Sequence, residues 1–418
     1  MARLVRSQDA PPNLGVVVQL VRIPACHAGG RGFESRPLRQ TNFITIIVIN
    51  ILMDNIIKSY NTTGLCGTCY RDLPATIEYR TDGTAVIIKT CPDHGKEEFI
   101  VEKDWKFWES AKQATPNNPT WDIYNEISII EITDRCNVLC KHCYHGPDNK
   151  ITDKPLDFIL STALRQPTRE VCLMGAEPTM REDLFDLIIK IKSRSKADKF
   201  RKTVSMYTNG IKLTDQDFVT SLEASGLDSI SISIHNPNYH KPVIWERISS
   251  GIDNILNTTI NLGQISFTVE NLEQVEYAVD KIMWFKQNNK IPANFCIRSP
   301  ANIGTDVAPL DEIFASDIAN WIRIVCKQKG LSFSKHNNCG SNPYHVGYIL
   351  DNMTVQVIHW AGARNIDTSY MNMGPWAEFV PNTRGTFLIQ TILRDGLKKG
   401  WWQGHRVMPP TSTINFIK

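Results

Sequence analysis

Between Ile127 and Lys329 the sequence alternates six times between a short apolar, β-prone run and a longer segment of helical periodicity. Ile127–Thr133, Val171–Met174, Thr203–Tyr207, Ser229–Ile234, Gln264–Val269 and Asn294–Arg298 read as strands. Leu156–Gln166, Asp183–Ser193, Asp215–Ser225, Trp245–Leu256, Leu272–Gln287 and Ile313–Lys329 read as the helices between and after them. Strand–helix units in series require a parallel sheet with right-handed crossovers. Six units are too few for a complete eightfold barrel, so the expected fold class is α/β, a partial (β/α)6 TIM-like barrel over residues 122–330.

The flanks follow other patterns. From Asn61 to about Trp108 the chain is short-stranded and cysteine-bearing, with two strands expected around an Asp82-Gly83 turn. The polar stretch Ser110–Trp121 reads as a linker, which gives an N-terminal unit over residues 53–121. After Gly330 a hairpin is expected over Asp351-Asn352, inside a small C-terminal α+β extension (331–418) that would cover the barrel mouth. The first 52 residues look foreign. Gly15–Arg39, with its Gly-Phe-Glu-Ser-Arg run at Gly32–Arg36, resembles a translated tRNA gene. We therefore read 1–52 as a non-native, disordered leader, place the true start at Met53, and leave Cys26 and His27 out of the metal arithmetic.

Composition closes off several classes. With 46 Lys+Arg against 43 Asp+Glu the net charge is only +3, which offers no electrostatic footprint for nucleic acid. The longest apolar run, Phe43–Met53, is too short for a membrane span, and no secretory cleavage signature follows it. Eleven cysteines are too few for a disulfide scaffold of this length, and their clustering points to metal ligation in a cytoplasmic protein.

Cys136, Cys140 and Cys143 follow the first barrel strand in the spacing CxxxCxxC. Loops after barrel strands sit on the face where active sites are built. Three thiolates so placed can cap three irons of a cubane and leave the fourth open. A zinc knuckle completed by His142 or His145 uses the same residues, so both readings stand at this point. A second set, Cys66, Cys69, Cys91 and His94, has the spacing CxxC…CxxH and supplies a closed tetrahedral zinc shell, with a redox CxxC as the rival for its first pair.

With its companions, the cysteine loop resembles the radical S-adenosylmethionine (SAM) superfamily. Gly175-Ala176-Glu177-Pro178 after the second strand is similar to that family's GGEP motif, with Ala176 in place of a glycine. Tyr207-Thr208-Asn209-Gly210 after the third is similar to its TNG motif. The resemblance implies a [4Fe–4S] cluster on Cys136, Cys140 and Cys143 and SAM on the open iron. It implies one-electron cleavage of SAM to a 5′-deoxyadenosyl radical, hydrogen abstraction from an unidentified small-molecule or peptide substrate, and a ferredoxin- or flavodoxin-type electron donor. Methylation or carbon–carbon coupling are the outcomes considered. The Gly175–Pro178 turn would hold the methionine end of SAM, with Glu177 at its ammonium, and His142 joins the cofactor-binding set. Asn209 and Ser233 would line the nucleoside side. Arg298 would pair with a carboxylate of SAM or substrate, a surface salt bridge being the competing account. No catalytic residue is assigned. His235 stands where relatives carry an acid, and a helix-capping role suits it equally. Cys339 is either a thiol with a role in the chemistry or a plain loop cysteine, and Cys172, Cys296 and Cys326 are expected to be buried. The N-terminal unit resembles the zinc-ribbon leader of pterin methyltransferase-like and tetraether-lipid-synthase-like members. A non-catalytic zinc-binding interaction module is the alternative from another class.

Overall fold

The structure is a computed structural model. It describes residues 55–69, 71–114, 127–138, 140, 143, 149–150, 152–165, 169–194, 202–237, 243–300, 312–336 and 343–359, with isolated residues at 365, 367, 369, 379–380, 402–403 and 406–407. The leader, His142, His145 and Cys339 lie outside this set.

The N-terminal unit is a four-stranded antiparallel meander of β1 (Ile56–Leu65), β2 (Asp72–Arg80), β3 (Ala85–Cys91) and β4 (Gly95–Glu102). Burial alternates along β2, as a sheet with one covered face requires. The β2–β3 connection turns at Gly83, whose φ of +97° suits glycine. Helix α1 (Trp105–Ala114) closes the covered face: Trp105 stacks on Tyr79, and the buried Trp108 donates its indole N–H to the Tyr60 hydroxyl at 2.8 Å.

Next comes the alternation. Strands β5 (Ile127–Glu131), β6 (Glu170–Met174), β7 (Thr203–Thr208), β8 (Ser229–Ser233), β9 (Asn261–Thr268) and β10 (Asn294–Arg298) lie side by side in chain order, all parallel. Helices α2 (Leu156–Arg165), α3 (Leu184–Arg194), α4 (Gln216–Ser225), α5 (Val243–Leu256), α6 (Leu272–Gln287) and α7 (Ala315–Lys329) separate and follow them. One face of each strand, with Val204, Ile232, Phe267 and Ile297 among its residues, joins the apolar core beneath the helices. The other face carries polar side chains, such as Tyr207, Ser233 and Ser266.

The hairpin over Asp351-Asn352 is present, and both turn residues have positive φ (47° and 71°), the conformation a tight two-residue hairpin needs. It is built onto the core sheet. β11 (Phe333–Lys335), β12 (His345–Leu350) and β13 (Met353–Ile358) extend the core sheet, and β13 pairs parallel with β10. The reason is burial: Val355 and Val357 join the same core as Phe295 and Ile297. A two-residue strand, Phe379–Val380, pairs parallel with β5 at the opposite edge.

The meander is seated on the core through polar and aromatic contacts. Trp108 meets Tyr344 edge-on, Lys103 pairs with Asp317 at 3.1 Å, and Lys335 donates to the Ser110 carbonyl at 2.8 Å. Glu102, fully buried, accepts from the Lys103 N–H at 2.7 Å and from the backbone and hydroxyl of Ser316 in the first turn of α7. Burial lifts this carboxyl to about 8, against the lowering effect of those donors. A carboxyl whose folded pKa exceeds its unfolded value of 4.5 contributes stability that is complete below about 4.5 and is lost as the pH rises to about 8. We expect Glu102→Gln to remove that component. The melting-temperature difference between variant and wild type, followed from about pH 5 to pH 8, should move in the variant's favour as pH rises, by about 2–4 °C per kcal/mol. A difference independent of pH would show that Glu102 is ionised in the folded state.

Candidate active site and metal centres

In a meander, the β1–β2 and β3–β4 connections share one end. The first holds Cys66 and Cys69; the second holds Cys91 and His94. Their ligand atoms all lie within 4.8 Å of one another. Cys66 Sγ and Cys91 Sγ stand 3.5 and 3.4 Å from His94 Nδ1, and Cys69 Sγ is 3.8 Å from Cys91 Sγ. Tetrahedral zinc with its usual Zn–S and Zn–N lengths requires ligand separations of about 3.5–3.8 Å, so the set fits zinc. The Thr68 and Cys69 amides point at Cys66 Sγ. At Cys91, burial acts to raise the thiol, but the Asp93 and His94 amides and the His94 ring outweigh it and bring the thiol down to about 6. Sequence reading missed Glu97, which accepts from the Gly67 N–H at 2.9 Å and pairs with the buried Lys89 at 3.7 Å, pinning the first knuckle from below. Spacing gives no hint of Glu97, which lies outside the cysteine motif.

The second centre lies at the carboxyl ends of β5–β7. Its first element is Gly175, at the exit of β6, with φ +136°. A Cβ there would sit 2.4 Å from the Thr133 carbonyl oxygen, so only glycine permits this approach. The approach lets the Ala176 and Glu177 amides donate to the Thr133 and Arg135 carbonyls, both at 3.0 Å, and so ties the turn to the loop that carries Cys136. Ala176 has no positive φ, and its methyl is accommodated.

Glu177 is buried. Its Oε1 accepts from the Thr179 and Thr208 hydroxyls, both at 2.6 Å, and its Oε2 from the Asn209 N–H at 2.7 Å. Burial raises its pKa above the ordinary carboxylate value while those donors pull it back. Both oxygens are thus engaged within the protein, and Glu177 ties the two motifs together, with Oε2 accepting from one donor. Asn209 completes the tie: its Nδ2 donates to Asn137 Oδ1 at 2.7 Å and lies 3.9 Å from Cys136 Sγ. Pro178 opens a buried 3-10 turn capped by Glu177.

Cys136, Cys140 and Cys143 are half-buried and take part in no disulfide. Burial raises Cys136 to about 11 and Cys140 further still, and the charges of Glu177 and of neighbouring cysteines add to both shifts. Cys136 and Cys140 are thus disfavoured as bare thiolates, a preference that a bound metal cation would reverse. Among the described residues, the Cys66 set is the one group of ligating side chains gathered within 4.8 Å. Three thiols on one loop, with Cys136 held beside Asn209 and Asn137, are a donor set that fits three irons of a cubane.

Farther along the sheet, Ser233 Oγ is 3.0 Å from Ser266 Oγ at the end of β8, and Arg298 ends β10. His235 follows β8, half-buried. Cys172, Cys296 and Cys326 are buried, as expected.

Residues 130–281 match the model of the Radical SAM superfamily, and residues 59–103 match the HMPTM N-terminal zinc ribbon domain. The chain carries a radical SAM domain behind a zinc ribbon. It is 29% identical to 7,8-dihydro-6-hydroxymethylpterin dimethyltransferase of Methanocaldococcus jannaschii over 196 residues, 40% of this chain and 38% of that one. It is 30% identical to a probable GTP 3′,8-cyclase of Thermococcus kodakarensis over 131 residues, 30% of this chain and 39% of that one. The radical SAM chain thus spans about two fifths of the length of these relatives. Among its described residues, no helix is long and apolar enough to cross a membrane.

The close approach at Gly175 makes a prediction. Gly175→Ala combines a strained positive φ with overpacking against Thr133 and should cost about 3 kcal/mol or more, read by urea denaturation. Ala176→Gly, two atoms away along the same turn, should cost less than about 1 kcal/mol. Equal effects at the two positions would show that the Gly175 approach carries no special weight.

Proposed function

We propose that this radical SAM protein is an enzyme in which Cys136, Cys140 and Cys143 hold a [4Fe–4S] cluster by three irons and the Gly175–Pro178 turn and Asn209 face SAM. When bound, the cluster supplies the single electron that divides SAM into methionine and a 5′-deoxyadenosyl radical, which takes a hydrogen atom from the substrate. The observation that carries the reading is the bonding of three separate loops into one surface. Glu177 binds the amide of Asn209, the Asn209 side chain binds Asn137, and the Glu177 amide binds Arg135 beside Cys136.

The chain's own part is positioning. The Gly175 turn presents backbone at the strand ends with no side chain in the way. The buried carboxylate of Glu177 holds that turn against the cysteine loop, so the loop keeps its shape while the thiols are still unligated. Arg135, paired with Asp153 at 2.7 Å and donating to the Met180 carbonyl at 3.0 Å, fixes the other side of the loop. His142 and Ser233 complete the proposed cofactor-facing set. The zinc shell, with four protein ligands and none left open, is assigned a structural role. A low-potential ferredoxin- or flavodoxin-type donor and a cytoplasmic setting complete the reading. The relatives make methylation or cyclisation the reaction types to test first.

Two measurements check it. Wild type reconstituted anaerobically with iron and sulfide should form 5′-deoxyadenosine from SAM and reductant, and Cys140→Ala should form less than about 1% as much, since one thiolate is lost from a three-point attachment. Undiminished product from Cys140→Ala would sink the assignment. Cys91→Ala should lose zinc by elemental analysis while retaining iron and SAM cleavage. Loss of both metals together would show that the two centres are not independent.

A further inference from the structure

The seven parallel strands β5–β10 and β13 contain a single basic residue, Arg298, at the carboxyl end of β10. It stands on the polar face: its neighbours Phe295 and Ile297 alternate into the helix-side core, and Arg298 with Cys296 faces the other way. Its Nε donates to Thr268 Oγ1 at 3.4 Å. Among the described residues its two terminal nitrogens have no hydrogen bond and no carboxylate lies within ion-pair reach, so the salt-bridge account has no support there. A half-buried guanidinium with no carboxylate partner presents two parallel N–H donors suited to an oxyanion.

Two features say which oxyanion. The cysteine loop and the Gly175 turn leave β5 and β6, while Arg298 is four strands beyond β6, about 19 Å along the sheet. A molecule held at Gly175 and Asn209 and reaching Ser233 on β8 still ends two strands short of Arg298, which is left to address its partner in the reaction. The wall between them is hydrogen-bonding throughout. Tyr207 bonds Gln264 at 3.3 Å, Gln264 bonds Asn294 and Gln356 at 2.8 and 3.3 Å, and Ser233 bonds Ser266.

We propose that Arg298 anchors a substrate that is a polar small molecule bearing a carboxylate or phosphate, its hydrogen-bonding body lying along Tyr207 and Ser266. This deepens the reading above and rests on it for the position of SAM. These hydroxyls and amides keep donor and acceptor capacity beyond the bonds they make to one another, which a polar body can use and an apolar chain cannot.

The test uses the full chain reconstituted with zinc, iron and sulfide, titrated anaerobically with inorganic phosphate and with acetate, in the presence and absence of saturating SAM. We expect wild type to bind at least one anion with an affinity that SAM changes by less than about threefold, and Arg298→Gln to weaken it by about tenfold or more. Arg298→Lys keeps the charge but loses the fork and should fall between. It alone carries the comparison if the glutamine variant fails to retain iron. Tighter phosphate supports a phosphate ester, tighter acetate a carboxylic acid. The proposal is overturned if neither anion binds wild type, if the variants bind as wild type does, or if SAM displaces the anion competitively. The last result would give Arg298 to SAM and leave the cluster reading intact. Absence of SAM cleavage by wild type would instead fail the cluster reading, and the anion titration reads out independently of it.

Discussion

The cysteine-loop end of this molecule depends on one close approach, the backbone of Gly175 against the carbonyl of Thr133. With no Cβ to clear, the exit of β6 presses on the exit of β5, and two amides then find carbonyls in the cysteine loop. That seats Glu177 beneath the surface, where its charge is expensive to bury. Four hydrogen bonds, from Thr179 twice, Thr208 and Asn209, offset the cost. Each donor lies on a turn after β6 or the exit of β7, so satisfying one carboxylate fixes both turns. A neutral side chain at position 177 would have no such demand and would leave the turns free to move separately.

The same alternation that builds the sheet divides its two chemistries. Period two along each strand sends Val204, Ile232 and Phe267 to the helices and leaves Ser205, Ser233 and Ser266 facing the other way. Burial of the first set holds the fold together and is indifferent to the second, provided the polar groups find partners. Here they bond largely to one another, as in the Tyr207–Gln264–Asn294 chain. Such a wall is firm, and it has donors and acceptors to offer a ligand.

Much of this was legible in the sequence because it rests on local pattern. The six strand–helix units, the Asp351-Asn352 hairpin and both cysteine spacings are periodicities or fixed offsets, and each lies where it was read. What was not legible depends on contacts distant in sequence. Nothing near Glu102 announces that Ser316 will bond it, and nothing in the hairpin says that β13 will pair with β10. Glu177 is the instructive case. Its motif suggested a ligand contact, and the fold adds what the motif could not show, that Thr208 and Asn209, some thirty residues on, also bond its oxygens. The lone cation among the parallel strands was visible, but its lack of a carboxylate partner among the described residues was not.

The two cysteine centres show why one chain can hold both without confusing them. The ribbon's four ligands come from two loops at one end of a meander, which fixes them about 3.4–3.8 Å apart, too close for anything larger than a single ion. The loop thiols after β5 come from one stretch of chain tied to the Gly175 turn, Glu177 and Asn209. Selection between zinc and a cluster therefore need not come from the cysteines themselves, which are chemically identical. It follows from what their backbones are tied to: a tight antiparallel end in one case, a glycine approach and a buried carboxylate in the other.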